Sequence, residues 1–390
     1  MTGSPAQEQS LALAPETLER SAQERKRMLI IVNPYATTVS ENLRHLVVHA
    51  LEGRYEVDAV DTEARGHATT LCREAAHEGY DVVVAFGGDG TVNEAANGLM
   101  GSSTPLTCLP GGSANVFGKM LGIPGGLVDA TEHLLAMADD WQPRKVDIGV
   151  VNGRYFTFSS GLGLDASVVQ RVDSNPRLKA RYGPWFFTWA AIATFTRRYL
   201  LHPPRLHVEV EIEDGEHVGS GARGGNGEPA ASGVHRESGE QAGIGAHRES
   251  GEQAGIGAHR ENSEHAGSGE RAHVALDGVT AIVQNGSPFT YFRNRPIEVA
   301  EQATLDSGTM SGCVLHRARP IDMPFIAWRA FSKRARLARH RHITPFVGAR
   351  ALTVRSADGE PLPLQVDGDY LGEVAEARYS IVPGALSVVA

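Results

Sequence analysis

Between residues 28 and 151 the sequence alternates short apolar, β-forming runs with segments of helical periodicity. The apolar runs occupy residues 28–33, 55–60, 81–86, 105–110 and 145–151. Helix-spaced apolar positions fill the intervals at residues 40–52, 66–79, 91–100 and 113–138. Because parallel neighbours in a sheet need a crossover helix, this alternation predicts a doubly wound α/β domain whose parallel sheet is covered on both faces.

From about residue 152 the pattern changes to alternating apolar and polar residues, which is typical of strands with one solvated face. Such runs occur at residues 154–160, 205–212, 273–285, 351–356, 361–366 and 377–382. They predict a C-terminal domain rich in antiparallel β-strands. We therefore divide the chain into a flexible tail at 1–27, a first domain at 28–146 and a second domain at 147–390.

Three tandem twelve-residue repeats interrupt the second domain at residues 233–268. The wider segment 213–271 carries 11 acidic and 5 basic residues and no aromatic residue. Its few large apolar groups cannot offset the chain entropy lost on folding, so we predict a disordered insertion. A histidine recurs in each repeat, but metal chelation without fixed geometry is the weaker interpretation.

Composition and charge exclude several classes of protein. The chain of 390 residues has 37 Lys+Arg against 46 Asp+Glu, so it has no general attraction for nucleic acid. Cys72, Cys108 and Cys313 lie far apart without a C-x-x-C pair, which argues against a zinc ribbon or a disulfide framework. No apolar run reaches the roughly 20 residues of a membrane-spanning helix. We expect a cytoplasmic protein without a nucleic-acid partner.

Polar, turn-forming segments follow three strands of the predicted parallel sheet, and the second and third of them contain glycines. They comprise residues 33–37, 87–94 and 111–115. Ligands of open parallel sheets bind beyond the carboxyl ends of the strands. Glycine turns that lead into helices present backbone N–H groups to phosphate. The sequence therefore predicts a phosphate-binding site at this edge.

The turn after the third strand also contains Asp89. A carboxylate beside a phosphate is repelled unless a cation lies between them, so Asp89 predicts bound Mg²⁺. In the alternative interpretation, Asp89 and Thr91 only cap a helix. None of the three turns contains G-x-x-x-x-G-K-[ST] or G-x-G-x-x-G, which argues against a P-loop and a Rossmann dinucleotide site.

The segments GGDGTVNEA at 87–95 and LPGGSANVFGK at 109–119 resemble the diacylglycerol kinase catalytic domain family, and within it the bacterial lipid kinases related to sphingosine kinases. Further segments resemble the family in the same order at residues 62–71, 145–166, 303–308 and 365–372. The resemblance covers residues 28–390 apart from the insertion. It implies an ATP- and Mg²⁺-dependent kinase, with ATP bound by residues 28–146 and a lipid acceptor, diacylglycerol or a sphingoid base, bound by residues 147–390.

By position, the resemblance also implies roles for individual residues. The implied ATP contacts are Asn33, Pro34, Tyr35, Ala36, Thr37, Thr62, Gly88, Asp89, Gly90, Thr91, Val92, Asn93, Glu94 and Ser113. The implied metal ligands are Asp89, Asp147 and Asp306. Asp367 is the implied catalytic base, with Asp369 and Asp89 as the other catalytic carboxylates. Asp165 fits either the acidic network or a helix N-cap.

Two alternatives to a lipid kinase stay open at this point. One is an enzyme similar to NAD kinases, which share a G-G-D-G turn. The other is an inactive nucleotide- or lipid-binding regulator, because Val116 and Ser307 stand where many relatives have acids.

A lipid kinase must also reach a membrane surface, and two segments suit peripheral contact. Trp185, Trp189 and Ile192 recur at helical spacing between clusters of cations, which favours either a membrane interface or a packed helix. The stretch 329–341 is basic. A homodimer is left open.

Overall fold

The computed structural model describes residues 25–36, 39–175, 178, 184–199, 203–213, 271–292, 295–300, 302–332 and 335–390. Nearly all of the predicted tail at 1–27 and of the predicted insertion at 213–271 lies outside these residues. Thr37 and the cations that precede Trp185, Arg177, Lys179 and Arg181, also lie outside them.

The N-terminal part forms a parallel sheet with crossover helices. Its strands are β1 (Arg27–Val32), β2 (Glu56–Asp61), β3 (Val82–Gly87) and β4 (Leu106–Pro110). Its helices are α1 (Glu41–Glu52), α2 (His67–Glu78), α3 (Asp89–Leu99), α4 (Val116–Leu121) and α5 (Leu127–Ala136). The strand order is β4-β3-β1-β2, so the chain adds β2 on one side of β1 and β3 and β4 on the other. In such folds a ligand crevice forms where the order changes side, here between β1 and β3.

The predicted helix at 113–138 is divided into α4 and α5. Gly122 ends α4 with a φ of 94°, a conformation that favours glycine. Pro124, Gly125 and Gly126 follow before α5 begins. The apolar periodicity therefore marked both helices correctly but did not show the break between them.

The remaining chain is mainly antiparallel. Its strands are β5 (Arg144–Val151), β6 (Arg154–Phe156), β7 (Ser159–Gly163), β8 (Leu206–Glu213), β9 (Arg271–Gly278), β10 (Thr280–Gln284), β11 (Thr290–Phe292), β12 (Arg295–Ile297), β13 (Met310–Leu315), β14 (Ile343–Ser356), β15 (Leu362–Val366), β16 (Asp369–Val374) and β17 (Glu376–Val388). Its helices are α6 (Leu164–Asp173), α7 (Pro184–Thr194) and α8 (Met323–Phe331), with short π and 3₁₀ turns at 195–199 and 337–339. The predicted combination of a parallel sheet and C-terminal antiparallel strands is confirmed.

Strands β5 and β17 join the two parts of the molecule. They pair antiparallel with each other, and Val388 at the end of β17 pairs in parallel with Leu106 of β4. Val146, Ile148 and Val388 are fully buried in the same apolar core as β1 and β3. The C-terminal strand therefore completes the N-terminal core, and the domain boundary near residue 147 stays a prediction.

Strands β8 and β9 flank the predicted insertion. They pair antiparallel up to Glu213 and Arg271, so the chain leaves and re-enters the sheet at adjacent positions. Alternate residues of β8 are buried in the apolar core of the antiparallel part, together with residues of β10, β13 and β14, as the period-two pattern predicted. The sheet is therefore continuous on both sides of residues 214–270.

Helix α7 combines the two interpretations that the sequence left open. Phe186 and Ala190 are buried against Val172 of α6. Trp189 and Ile192 are 52% and 60% exposed. One face of the helix packs and the other faces solvent. Among the described residues, no helix is both long and apolar enough to cross a bilayer.

Candidate active site

The turns after β3 and β4 meet backbone to backbone. Gly111 N donates a hydrogen bond of 2.8 Å to Gly87 O. A Cβ atom added to Gly112 would lie 2.7 Å from Gly88 Cα, and one added to Gly111 would lie 2.9 Å from Gly87 Cα. Side chains would force the turns apart, so glycine at these positions maintains a cradle lined by backbone.

Asn33 ties the turn after β1 to the start of α3. Its Nδ2 donates to Thr91 Oγ1 at 3.1 Å, and its Oδ1 accepts from Tyr35 N at 3.0 Å. Thr62 lies beside this turn, because Thr62 N donates to Val32 O at the end of β1. Tyr35 is 84% exposed. The first turn therefore forms one wall of the crevice, with Tyr35 free to meet a ligand.

The predicted ATP contacts fall into two groups. Those in residues that are at least partly exposed are Asn33, Pro34, Tyr35, Ala36, Thr62, Gly88, Asp89, Gly90, Glu94 and Ser113. Those buried in α3 are Thr91, Val92 and Asn93. Asn93 faces the antiparallel part, because its Nδ2 donates to Asp367 Oδ2 at 2.7 Å and to Tyr155 O at 3.0 Å. The buried residues help to hold α3 in place, and their contacts with ATP stay predictions.

Asp89 is the first residue of α3, and its Oδ1 accepts from Phe117 N at 3.3 Å. Burial raises the pKa of this carboxyl to about 7. The backbone hydrogen bond from Phe117 opposes the rise, nearby Asp367 adds to it, and the charge of Lys119 also lowers the pKa. Proton or cation binding would relieve this cost, which suits a ligand for Mg²⁺.

Lys119 of α4 lies beside Asp89, and sequence reasoning did not single it out. Burial lowers its pKa, and the charge of Asp89 acts in the opposite direction. Its Nζ lies 4.3 Å from the ring centroid of Tyr291 on β11. The site thus has a cation at the junction of the glycine cradle and the antiparallel part. Lys119 is the last residue of the segment 109–119 that carries the family resemblance.

Asp367 is 3% exposed and is held at a positive φ of 48°. Its Oδ2 accepts from Asn93 Nδ2, Thr157 N and Thr157 Oγ1 at 2.7–2.8 Å. Its Oδ1 accepts from Phe158 N and Ser159 N, both at 3.0 Å. Burial raises the pKa of Asp367, and these hydrogen bonds oppose the rise. Both oxygens are occupied by protein donors, which is unsuited to the base role that the resemblance implied.

Asp369 lies on the other side of the same turn, and its side chain is 40% exposed. A Cβ atom added to Gly90 would lie 2.9 Å from Asp369 Oδ2, so this carboxylate faces the glycine turn after β3. Its Oδ1 lies 4.0 Å from Arg65 Nη2. Arg65 falls in the quoted segment 62–71, but nothing in that pattern distinguished it. Asp369 is thus the accessible carboxylate of the pair.

Asp147 of β5 and Asp306 meet at a different place, the turn before β13 that contains Asp306. Asp147 Oδ2 accepts from Gly308 N at 2.6 Å, and its Oδ1 accepts from Gly384 N at 2.8 Å. Asp147 N also donates to Leu305 O. Asp306 is exposed at the tip of this turn. Backbone amides therefore donate to both oxygens of Asp147, and this carboxylate fixes the turn; metal binding by Asp147 and Asp306 stays a prediction.

No cluster of three or more His, Cys, Asp or Glu side chains suited to a metal occurs in the part of the chain that the structure describes. Asp165 accepts from Gln365 Nε2 at 2.7 Å, and burial raises its pKa to about 6. Gly163, not Asp165, is the N-cap of α6. Asp89 is the predicted ligand whose buried carboxyl suits Mg²⁺, since this ion often takes one or two carboxylates and completes its coordination shell with phosphate and water.

Comparison with known proteins supports the resemblance seen in the motifs. Residues 27–151 match the family model of the diacylglycerol kinase catalytic domain. Diacylglycerol kinases of Staphylococcus aureus strains bovine RF122 / ET3-1 and MRSA252 are each 34% identical to this chain over 195 residues. That match covers 48% of this chain and 57% of either relative, so the chain spans little more than half the length of these curated relatives.

Two crystal structures of diacylglycerol kinase-like proteins from Bacillus anthracis str. Sterne share the fold. One has a TM-score of 0.61 at 19% identity and covers 94% of this chain and 96% of its own. The other has a TM-score of 0.56 at 18% identity and covers 94% and 97%. The fold thus extends over both parts of the molecule. In residues 27–151 the chain carries a domain of the diacylglycerol kinase catalytic domain family.

Proposed function

We propose that this chain is an ATP- and Mg²⁺-dependent lipid kinase that transfers the γ-phosphoryl group to a lipid hydroxyl. The observation that carries the proposal is the backbone cradle of Gly88 and Gly112 with Asp89 and Asp369 beside it. The names of the staphylococcal relatives favour diacylglycerol as the acceptor. A sphingoid base is the second candidate.

Phosphate binding falls to the cradle. Backbone N–H groups of glycine turns, with the N-terminus of α3 behind them, form a surface that attracts anions. Lys119 and Arg65 add positive charge on two sides of it. These groups orient the triphosphate, and orientation with charge stabilisation supplies most of the catalysis in phosphoryl transfer.

Asp89 would hold the magnesium ion. Its carboxyl has a raised pKa because it is buried, so a cation would stabilise the ionised form. When bound, the ion would screen the charge on the transferred phosphoryl group. Asp147 has no part in this proposal, because two backbone amides occupy its carboxylate.

We assign the proton transfer to Asp369 rather than Asp367. The acceptor hydroxyl gives its proton to the carboxylate of Asp369 while its oxygen forms a bond to the γ-phosphorus. The bond between that phosphorus and the β–γ bridging oxygen breaks, and ADP leaves. Asp369 is partly exposed beside Gly90, whereas Asp367 is buried and already accepts five hydrogen bonds.

The test is transfer of labelled phosphate from γ-labelled ATP in the presence of Mg²⁺. The panel contains diacylglycerol, sphingosine, phosphatidylglycerol and NAD, with Asp89→Asn as the inactive control. We expect labelled lipid from the wild-type chain and little from the variant. Label on NAD alone would establish an NAD kinase. Nucleotide binding without transfer to any acceptor would replace the proposal with an inactive regulator.

A further inference from the structure

Helix α8 packs one face on the protein and leaves the other covered with large apolar side chains. Ile326 and Ala330 pack on the core beneath β13 and β14. The exposed side chains are Phe325 (62% exposed), Trp328 (60%) and Phe331 (45%) on the helix and Ile321 (72%) in the turn before it. We call these four residues the α8 stripe. Aromatic and aliphatic groups aligned on one exposed helix face mark an interaction surface.

The sequence on both sides of the α8 stripe is strongly basic. Residues 316–342 contain eight Lys and Arg side chains and a single acid, Asp322. Asp322 is already paired with Arg341, whose Nη2 lies 2.9 Å from Asp322 Oδ1. Arg319 and Arg339 are exposed. A partner that covers the stripe must therefore present an apolar layer bordered by negative charge.

A chain of contacts connects the α8 stripe with the candidate active site. The ring of Phe331 lies edge-on to Phe292 of β11 at 5.2 Å between centroids. Tyr291, the preceding residue, lies under Lys119, and Lys119 lies beside Asp89. The α8 stripe is thus connected through β11 and Lys119 to the proposed phosphate site.

We propose that the α8 stripe and its surrounding arginines dock on an anionic lipid bilayer. The aromatic rings enter the interfacial layer, and the arginines bind lipid headgroups. The placement of the acceptor lipid rests on the proposed kinase function, but docking itself does not. Each cation near an anionic leaflet strengthens binding by about five-fold, and each buried large apolar side chain by about ten-fold or more.

Vesicle co-sedimentation of the full chain tests the docking. The probes are phosphatidylcholine vesicles with and without phosphatidylglycerol. We expect Phe325→Ser/Trp328→Ser to lower partitioning to the anionic vesicles by about 100-fold. Leu46→Ser/Val128→Ser is the matched control, because Leu46 and Val128 are 61% and 69% exposed on helices of the parallel-sheet part. This control should bind like wild type.

A charge variant separates the two contributions. Arg319→Gln/Arg339→Gln should weaken binding to anionic vesicles by about 25-fold and leave binding to pure phosphatidylcholine unchanged. Added salt should reproduce this loss. Equal losses in the stripe variant and its matched control would overturn the proposal. So would a wild-type dimer in solution that the stripe variant converts to monomer, because the stripe would then be a self-association face.

Two further measurements separate docking from the kinase function. The Asp89→Asn variant should bind vesicles like wild type while losing phosphoryl transfer. The stripe variant should phosphorylate detergent-dispersed short-chain diacylglycerol at the wild-type rate, and its thermal unfolding should match wild type. Vesicle binding without any phosphoryl transfer would leave docking in place and refute only the proposed function.

Discussion

Replacing Asp367 with asparagine should destabilise the protein more than it impairs the chemistry. The buried carboxylate accepts five hydrogen bonds, and an amide has only one oxygen. If the amide nitrogen takes the Oδ2 position, the N–H groups of Asn93 Nδ2 and Thr157 lose their acceptor. If it takes the Oδ1 position, the backbone N–H groups of Phe158 and Ser159 lose theirs. Each buried unsatisfied donor costs about 1–3 kcal/mol, so the free energy of unfolding should fall by about 2–6 kcal/mol.

Urea unfolding of wild type, Asp367→Asn and Asp369→Asn measures this cost. Asp369→Asn should unfold within about 1 kcal/mol of wild type, because its side chain is 40% exposed. In phosphoryl transfer at a temperature where both variants are folded, Asp369→Asn should lose about 100-fold or more in kcat and Asp367→Asn should lose less. Wild-type stability with a 100-fold lower kcat in Asp367→Asn would refute the reasoning and return the base role to Asp367.

Burial raises the pKa of Asp89 to about 7. Without cation or nucleotide, the free energy of unfolding should therefore fall as pH rises from about 4 to about 7. In urea unfolding at about pH 8, Asp89→Asn should be more stable than wild type by up to about 4 kcal/mol. Gly112→Ala should weaken ATP binding, measured by calorimetry, because its Cβ would lie 2.7 Å from Gly88 Cα. Replacing residues 214–270 with Asn-Gly should preserve kcat and the thermal midpoint, since Glu213 and Arg271 already pair; loss of folded protein would assign the segment a structural role.

Much of the N-terminal fold was predictable because the signals are local. A buried strand between amphipathic helices has a characteristic period, and a glycine turn after a strand marks a binding edge. The predicted first strand at 28–33 corresponds to β1 at Arg27–Val32. The bounds of the other four predicted strands of this part also lie within one residue of β2, β3, β4 and β5. The break between α4 and α5 was missed, because apolar periodicity continues through a turn that glycine makes without changing the pattern.

The candidate site was predictable as a set of turns but not as an arrangement of side chains. Asp367 and Asp369 are two residues apart in a D-G-D pattern that treats them alike. The positive φ values of Asp367 and Gly368 turn one carboxylate into the core and the other toward Gly90. Which carboxylate is accessible depends on strands β7 and β15, whose pairing no local pattern specifies.

The α8 stripe shows the same limit on the surface. The sequence shows that the stretch 329–341 is basic, but it does not show that Phe325 and Trp328 before this stretch are exposed. A helix that is apolar on two faces does not reveal which face meets the core. The packing of Ile326 and Ala330 decides that Phe325 and Trp328 point outward.

The sequence by itself determined the parallel-sheet domain, the glycine turns and the family resemblance, because periodicity, turn chemistry and motif order are properties of neighbouring residues. Only the tertiary structure decided that Asp147 is bound by backbone amides, that Asp367 is buried and Asp369 accessible, and that Lys119 joins the site. Burial and hydrogen-bond satisfaction depend on contacts between residues far apart in the chain. The linear pattern of residue types does not contain those contacts.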